Sequence, residues 1–420
     1  MIALLETEIG TIGPDWKVEP LARVCEPPQY GFTASAEEQG NVRFLRITDI
    51  TDSGVKWPTV PFCECPAELL NKYLLASGDI VFARIGATTG KSYLISNPPP
   101  CVFASYLIRV RAKEEIDPVF LSQFFRSVAY WRQVDARKNA NLKKGVSGSL
   151  LKTLIVPVPS LAEQRKIAGV LGVVQRAMEQ QERLIALTTE LKKALLRQLF
   201  TQGLRGEPQK QTEIGPVPKS WGVVALGEYL TQAQYGISAK GSESGRYAVL
   251  RMTNQRQGRI SSDNLQYVEL TPDQFQKFRA ERRDILFNRT NSLDLVSRTA
   301  IFDLEGDFVF ASYLIRLRTD GERLRPFFLN HYFNWEETQV RLKSIATRAV
   351  SQSNISASRL RGFLVSVPKS GEQDEIVEKV DCLDQKVSVH ARKHAALTAL
   401  FRTVLHQLMT AQIRVNDLDW

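Results

Sequence analysis

Phe103-Ala-Ser-Tyr-Leu-Ile-Arg109 returns without change as Phe310-Ala-Ser-Tyr-Leu-Ile-Arg316. Ordered matches extend outward from this pair in both directions. Thr7-Glu8-Ile9-Gly10 and Trp16 correspond to Thr212-Glu213-Ile214-Gly215 and Trp221, and Phe44-Leu45-Arg46-Ile47-Thr48 to Val249-Leu250-Arg251-Met252-Thr253. Gly78-Asp79-Ile80-Val81-Phe82 corresponds to Arg283-Asp284-Ile285-Leu286-Phe287. Val156-Pro157-Val158-Pro159, followed by Glu163-Gln164, corresponds to Val365-Ser366-Val367-Pro368, followed by Glu372-Gln373. The offset drifts only from 205 to 209, so nearly the whole chain is duplicated. A repeat of roughly 200 residues is too long for a solenoid unit and has the size of a domain. Matches are densest in apolar runs and sparsest in polar stretches, the pattern of one scaffold carrying two different surfaces.

At 420 residues the chain has room for about two or three domains with real cores. Its charged and apolar fractions are those of an ordinary soluble protein. No apolar run approaches the ~18–20 residues of a membrane span. Acids follow directly on Ile2-Ala3-Leu4-Leu5, so no secretory signal is expected. Five scattered cysteines (Cys25, Cys63, Cys65, Cys101 and Cys382) point to reduced thiols in the cytoplasm and not to a disulfide framework. The net charge of +10 is unevenly placed. Residues 1–159 carry 18 basic and 16 acidic side chains, whereas residues 204–368 carry 23 and 17, so the excess sits mostly in the second globular half. Such a charge is compatible with nucleic acid without requiring it.

Two kinds of segment alternate. Residues 1–159 and 204–368 read as mixed α/β: runs such as 79–83 and 106–110 predict strands, and the apolar spacing of 118–132 predicts a helix. Residues 160–203 and 369–420 are different. Ile167, Leu171, Val174, Met178, Leu184/Ile185, Leu191, Leu195 and Leu199 recur about every 3.5 residues. Ile376, Val380, Leu383, Val387, Leu397, Leu400/Phe401, Val404 and Leu408 do the same. Each run predicts a long helix with a narrow apolar seam, and the two seams are natural partners. The intervening globular half can bring the chain back, which favours antiparallel packing. Gln181 and Thr188 interrupt the first seam, and His390 and His394 the second. They either face solvent or fix the helix register.

No catalytic constellation stands out. Gly86-Ala87-Thr88-Thr89-Gly90-Lys91-Ser92 has three residues between its glycines where a P-loop needs four. The segment that follows, Tyr93 to Pro100, cannot supply the phosphate-holding helix. Asn97-Pro98-Pro99-Pro100 lacks the aromatic residue of an amino-methyltransferase motif. His390 and His394 share a helix face without an evident third ligand, and Cys63-Glu64-Cys65 lacks a second cysteine pair, so no metal site is expected. What remains is a stock of hydrogen-bonding side chains near predicted loops. In the first half these are Arg84, Thr88, Lys91, Arg137, Lys138, Asn139, Asn141, Lys143 and Lys144. In the second they are Arg256, Arg259, Arg282, Arg283, Arg289, Asn291, Arg298 and Arg348. Arginine pairs with guanine and asparagine with adenine in the major groove, while lysine mostly meets phosphate. Most of these positions differ between two otherwise matched scaffolds, which makes them the candidate DNA contacts.

The alternation of globular half and long helix, twice over, resembles the DNA specificity subunit of type I restriction–modification systems. The similar residues are the Thr-Glu-Ile-Gly…Trp entries, the run Gly78-Asp-Ile-Val-Phe-Ala-Arg-Ile-Gly-Ala-Thr-Thr-Gly-Lys91, the segment Val350-Ser-Gln-Ser-Asn-Ile-Ser356, and the Pro-x-x-x-Glu-Gln-x-x-Ile helix entries at 159–167 and 368–376. The resemblance implies a mixed α+β protein with two tandem, pseudo-symmetric target-recognition domains separated by two long antiparallel helices that form a coiled coil. Each domain would read one half of a bipartite, asymmetric target in double-stranded DNA, and the helices would dock two methyltransferase subunits. Up to two restriction subunits are an optional addition that makes the nuclease. The subunit would hold no active site and no cofactor of its own. S-adenosylmethionine would belong to the methyltransferase, and ATP and Mg to the restriction subunit. A helix of ~40 residues spans roughly 60 Å, enough to hold two heads about one DNA turn apart. The partner must flip the target base to reach it. The alternative is a coiled-coil scaffold that pairs two protein-binding domains and has no DNA role. The halves depart from one another locally: the second lacks the Gly-x-Thr-x-Gly-Lys wording, and Lys144-Gly145-Val146-Ser147 stands where the second half has Ser353-Asn354-Ile355-Ser356.

Overall fold

The computed structural model describes residues 5–7, 9–51, 54–140, 145–348 and 352–415. The chain divides into two compact units, Met1–Arg183 with His390–Trp420, and Leu184–Val389. Both boundaries fall inside the long helices, Leu161–Gln202 and Ser370–Met409, so each unit owns one globular head and one half of each helix.

The heads repeat one topology. In the first, an antiparallel sheet runs Ser92–Leu94, Ile80–Ala83, Leu107–Val110, Gln29–Tyr30. A second sheet sets Cys101–Phe103 parallel to Val42–Leu45, which pairs antiparallel with Phe62–Cys63. In the second head, Leu230–Tyr235, Leu314–Thr319, Ile285–Asn288 and Thr299–Ile301 occupy matching places, extended by Arg259–Ile260 and Gln255–Arg256. Its smaller sheet again places Phe308–Phe310 parallel to Tyr247–Leu250. The registers agree across the repeat: Arg109 faces Val81, and Arg316 faces Leu286. The strands read as continuous apolar runs because they are buried on both faces: Ile80, Val81 and Phe82 are at most 1% exposed, and Ile285, Leu286 and Phe287 are fully buried.

The stretch 118–132 forms two helices, Pro118–Phe124 and Val128–Ala140, and not one. Asp117 caps the first by accepting from the amides of Val119 and Phe120, both at 2.9 Å. Ser127 starts the second by accepting from the Tyr130 amide at 3.3 Å. The break turns Phe124, Phe125 and Tyr130 onto Phe82 as an aromatic cluster, with Phe82 and Phe125 centroids 4.8 Å apart. Each such ring contributes ~1.5–3 kcal/mol by burial.

Within each unit the helix halves run antiparallel. In the first, Arg414 meets Glu163 while His390 meets Gln181. In the second, Glu372 accepts from the Leu204 amide while Asp384 meets Lys192. The Glu-Gln helix entries fasten each head to its helix. Gln164, fully buried, accepts from the Asp117 amide at 2.7 Å and donates to the Glu115 and Pro159 carbonyls. Gln373 does the same with the Arg325 amide and the Arg323 and Pro368 carbonyls.

The seam departs from the expected one at its centre. Met178, Gln181, Ile185, Thr188, Lys192 and Leu195 keep the heptad spacing and are all partly buried. Leu184 and Leu191, expected in the seam, are 39% and 57% exposed, as is their neighbour Leu187 at 57%. Of the polar interruptions, Gln181 and His390 pair with each other, Gln181 Oε1 lying 2.8 Å from His390 Nδ1, while His394 Nε2 lies 3.0 Å from Oε1 of the exposed Glu182. A polar pair at a seam position fixes register at some cost in stability.

Each head also buries a charge. Arg109 and Arg316, the last residues of the repeated heptapeptide, are 6% and 3% exposed. Arg109 donates to the Leu74 carbonyl at 2.6 Å and to Gln29, with Asp79 3.6 Å away. Arg316 donates to the Arg279 carbonyl and to Gln232 and Gln234, with Asp284 3.9 Å away. Asp79 and Asp284 are each clamped by a second guanidinium, from Arg111 and Arg318. Burial lowers the pKa of Arg109 and Arg316, and the carboxylate beside each opposes that shift. Asp79→Ala and Asp284→Ala should each lower unfolding free energy by about 3–5 kcal/mol, because a buried guanidinium loses its counter-charge. Denaturant titration of the single variants checks this, and a loss below ~1 kcal/mol would contradict it.

Candidate nucleic-acid interface

At the end of strand Ile80–Ala83 the chain turns through the Gly86–Gly90 loop. Gly90 donates to the Ala83 carbonyl and Lys91 to that of Thr88, both at 2.9 Å, which closes a hairpin with Ser92–Leu94. Arg84 stands exposed at its base, and its guanidinium carbon lies 5.1 Å from the Tyr30 ring centroid. The Arg84 amide donates to the Tyr106 carbonyl, and its own carbonyl accepts from the Val146 amide, both at 3.0 Å. Tyr30 Oη accepts from the Gly148 amide at 2.9 Å.

The second head rebuilds this arrangement group for group. Arg289 lies 4.5 Å from the Tyr235 centroid, donates its amide to the Tyr313 carbonyl at 3.0 Å and accepts from the Ile355 amide at 2.9 Å. Tyr235 Oη accepts from the Ala357 amide at 2.9 Å. The tyrosines are well exposed: Tyr30 41%, Tyr106 55%, Tyr235 38% and Tyr313 53%. Each head thus presents an arginine stacked on one tyrosine with a second tyrosine beside it. Gly31 and Gly236 make the geometry possible. A Cβ on either would collide with the carbonyl oxygens of Phe103 and Ala104, or of Phe310 and Ala311.

The residues expected from sequence fall into several groups. Arg84, Thr88 and Lys91 share the first hairpin. Arg289 precedes the small sheet in which Thr290–Asn291 pairs with Ser353–Asn354, itself paired with Thr347–Arg348. That sheet gathers Asn291 and the backbone of Arg348. Asn291 Nδ2 lies 2.9 Å from Met252 Sδ. Arg298 is exposed nearby, its carbonyl accepting from the Asn288 amide. Arg256 is exposed on an edge strand. Arg282 is engaged with the Asp303 carboxylate at 2.7 Å and Arg259 with that of Asp381 at 3.1 Å. Asn141, Lys143 and Lys144 lie outside the described residues, as do the side chains of Arg137, Lys138, Asn139 and Arg348. The four tyrosines are not among the candidates that sequence reasoning names. Their signal is the repeat Gln29-Tyr30-Gly31 and Gln234-Tyr235-Gly236, together with the tyrosine inside the heptapeptide.

Among the described residues, one group has metal-ligating character: His331, Asp381 and Asp384, with donor atoms within 4.8 Å of one another. Side chains within the chain already hold its carboxylates. His331 Nε2 lies 2.9 Å from Asp381, Arg259 lies 3.1 Å from the same carboxylate, and Lys192 Nζ is 2.5 Å from Asp384. Burial pushes the Asp381 carboxyl up, but the His331 hydrogen bond and the His331 and Arg259 charges outweigh it and hold the pKa below the ordinary value. The contribution to stability is therefore complete above the unfolded carboxylate range near ~4 and is lost as pH falls through the lower folded value.

Similarity to known proteins fits this architecture. A family profile for the "Type I restriction modification DNA specificity domain" matches residues 14–189 and 218–399. The chain belongs to that family. It is 24% identical to the type I restriction enzyme StySPI specificity subunit of Salmonella potsdam, over 97% of this chain and 88% of the relative. It is 23% identical to the EcoKI specificity subunit of Escherichia coli strain K12, with the same coverage of both chains. Its fold is similar to that of the type I restriction-modification S subunit from M. genitalium, with a TM-score of 0.59 at 15% identity, covering 94% of this chain and 96% of the other.

Arg259 and Lys192 already occupy the carboxylates of the His331 group. The thermal unfolding midpoint should therefore be the same with added zinc or magnesium as with a chelator. A metal-dependent rise that Asp381→Asn abolishes would contradict this.

Proposed function

We propose that this chain is the DNA-reading subunit of a type I restriction–modification complex. Residues 1–159 and 204–368 each recognise one half of a bipartite, asymmetric duplex target. The helical segments, residues 160–203 and 369–420, set the spacing and dock two methyltransferase subunits. The observation that carries this reading is the duplicated head: two family-matched domains in one chain, each with its own arginine–tyrosine platform, its tyrosines exposed, beside loops that differ. Loops that differ on one scaffold give two unlike half-sites. The chain itself supplies position and not catalysis. S-adenosylmethionine belongs to the methyltransferase, and ATP and Mg to restriction subunits where these join.

The docking role draws on the central helix. Leu184, Leu187 and Leu191 follow i, i+3, i+7 spacing and lie outside the seam, leaving an apolar stripe on an otherwise polar stretch.

Replacing residues 212–368 with the matching part of a relative should change one half of the methylated sequence and leave the other intact. Methylation mapping in a host that carries the chimera and the methyltransferase reads this, and a change in both halves or in neither would overturn the domain roles. The assembled complex should also lose DNA affinity steeply with salt. A flat response would favour the coiled-coil scaffold. Leu187→Glu with Leu191→Glu should abolish co-purification with the methyltransferase subunit while leaving the thermal midpoint of the free chain within a few degrees, because both side chains are exposed.

A further inference from the structure

The exposed platform poses a question that burial does not answer. Phe103, Leu107, Ile108 and Arg109 are kept in the repeat because the core needs them, and all are nearly or fully buried. Tyr106 and Tyr313 are more than half exposed, yet they are repeated as faithfully. So are Tyr30 with Tyr235, the exposed Arg84 with the half-buried Arg289, and the exposed Ser149 with Ser358, whose hydroxyls lie 2.9 Å from Ser147 and Ser356 respectively. The positions around them diverge: Ile85 stands against Thr290, Gly90 against Ser297, and Gly145 against Asn354. Exposed side chains that are the same in two heads meet whatever both heads meet.

Two unlike half-sites differ in their bases and share their phosphodiester backbone, which binds arginine, tyrosine and serine side chains without carrying sequence. We infer that the Tyr30–Arg84–Tyr106 platform with Ser149, and its counterpart Tyr235–Arg289–Tyr313 with Ser358, are two copies of a sequence-independent clamp on the DNA backbone. Base reading falls to the divergent neighbours. This rests on the DNA-reading function proposed above.

The chemistry suits a phosphate. Tyr30 and Tyr235 accept a backbone amide at Oη, so each hydroxyl proton remains available to donate outward. The stacked ring and the backbone bonds at Arg84 and Arg289 fix where each guanidinium begins, which lessens the ordering cost of binding.

The test uses the full chain assembled with its methyltransferase subunits. Affinity is measured across a salt series for a duplex that carries the target and for an unrelated duplex, and methylated sites are mapped. Arg84→Ala/Tyr106→Ala and Arg289→Ala/Tyr313→Ala should each weaken both duplexes alike, by roughly tenfold. Each should make the salt dependence shallower by about one unit for every phosphate no longer held, with the methylated sequence unchanged. Arg84→Lys and Arg289→Lys should keep most of the affinity, because lysine still meets a phosphate but cannot grip guanine through two bonds. Relaxed reading of one half-site in any variant would overturn the clamp in favour of base contact. Unchanged affinity and salt slope in the double variants would reduce the platform to a structural pin. Failure of the unmutated complex to bind its target would instead remove the DNA-reading function itself.

Discussion

In each head a buried guanidinium ties together three stretches that are far apart in sequence. Arg109 joins the Gln29 strand, the carbonyls that end the helix Ala67–Tyr73, and the Asp79 turn. Arg316 does the same for the Gln234 strand, the Arg279 carbonyl and the Asp284 turn. A charge this deep is tolerated only when it is paired and its donors find acceptors, as both terminal nitrogens of each guanidinium do, so the partners cannot drift independently. The exposed platform sits directly on this network. Tyr30 follows Gln29, Tyr106 lies three residues before Arg109, and Arg84 ends the strand that the Asp79 turn begins. Fixing the buried cation therefore fixes the surface arginine and both tyrosines.

That coupling explains why the repeat is so uneven. Gln-Tyr-Gly, Asp-Ile and Phe-Ala-Ser-Tyr-Leu-Ile-Arg are pieces of one assembly, and a change at their Gln, Asp or Arg strands a buried polar group, while a side chain at Gly31 or Gly236 closes the space beside it. The loops between the pieces are free of this constraint. Thr88 and Lys91 in one head, and Asn291 and Arg298 in the other, are placed by the scaffold without being dictated by it.

The duplication and the two long helices are legible in the sequence because apolar periodicity and ordered repeats are local signals that burial enforces. The break at Phe125–Ser127 is not, since a helical apolar pattern runs through it and only the Ser127 cap betrays the stop. At Leu184 and Leu191 the seam misleads a reader who takes leucine as the marker of burial. The heptad in fact continues through Gln181, Thr188 and Lys192. Of the candidate interface, Arg84 and Arg289 are visible as cations near loops. Their tyrosine partners are not, because stacking joins residues 30 and 84, or 235 and 289, that no local pattern connects. Arg259 and Arg282 look alike in sequence to the others, and only the fold gives each a carboxylate partner inside the chain.

The polar centre of the helix seam has a physical logic of its own. Gln181 with His390, Glu182 with His394, and Lys192 with Asp384 hold the register where apolar packing is thinnest. Apolar residues in the seam could slide by a heptad, a shift of about 10 Å along the helix axis. Turning Leu184, Leu187 and Leu191 outward leaves those side chains exposed, while the polar contacts keep the helix register.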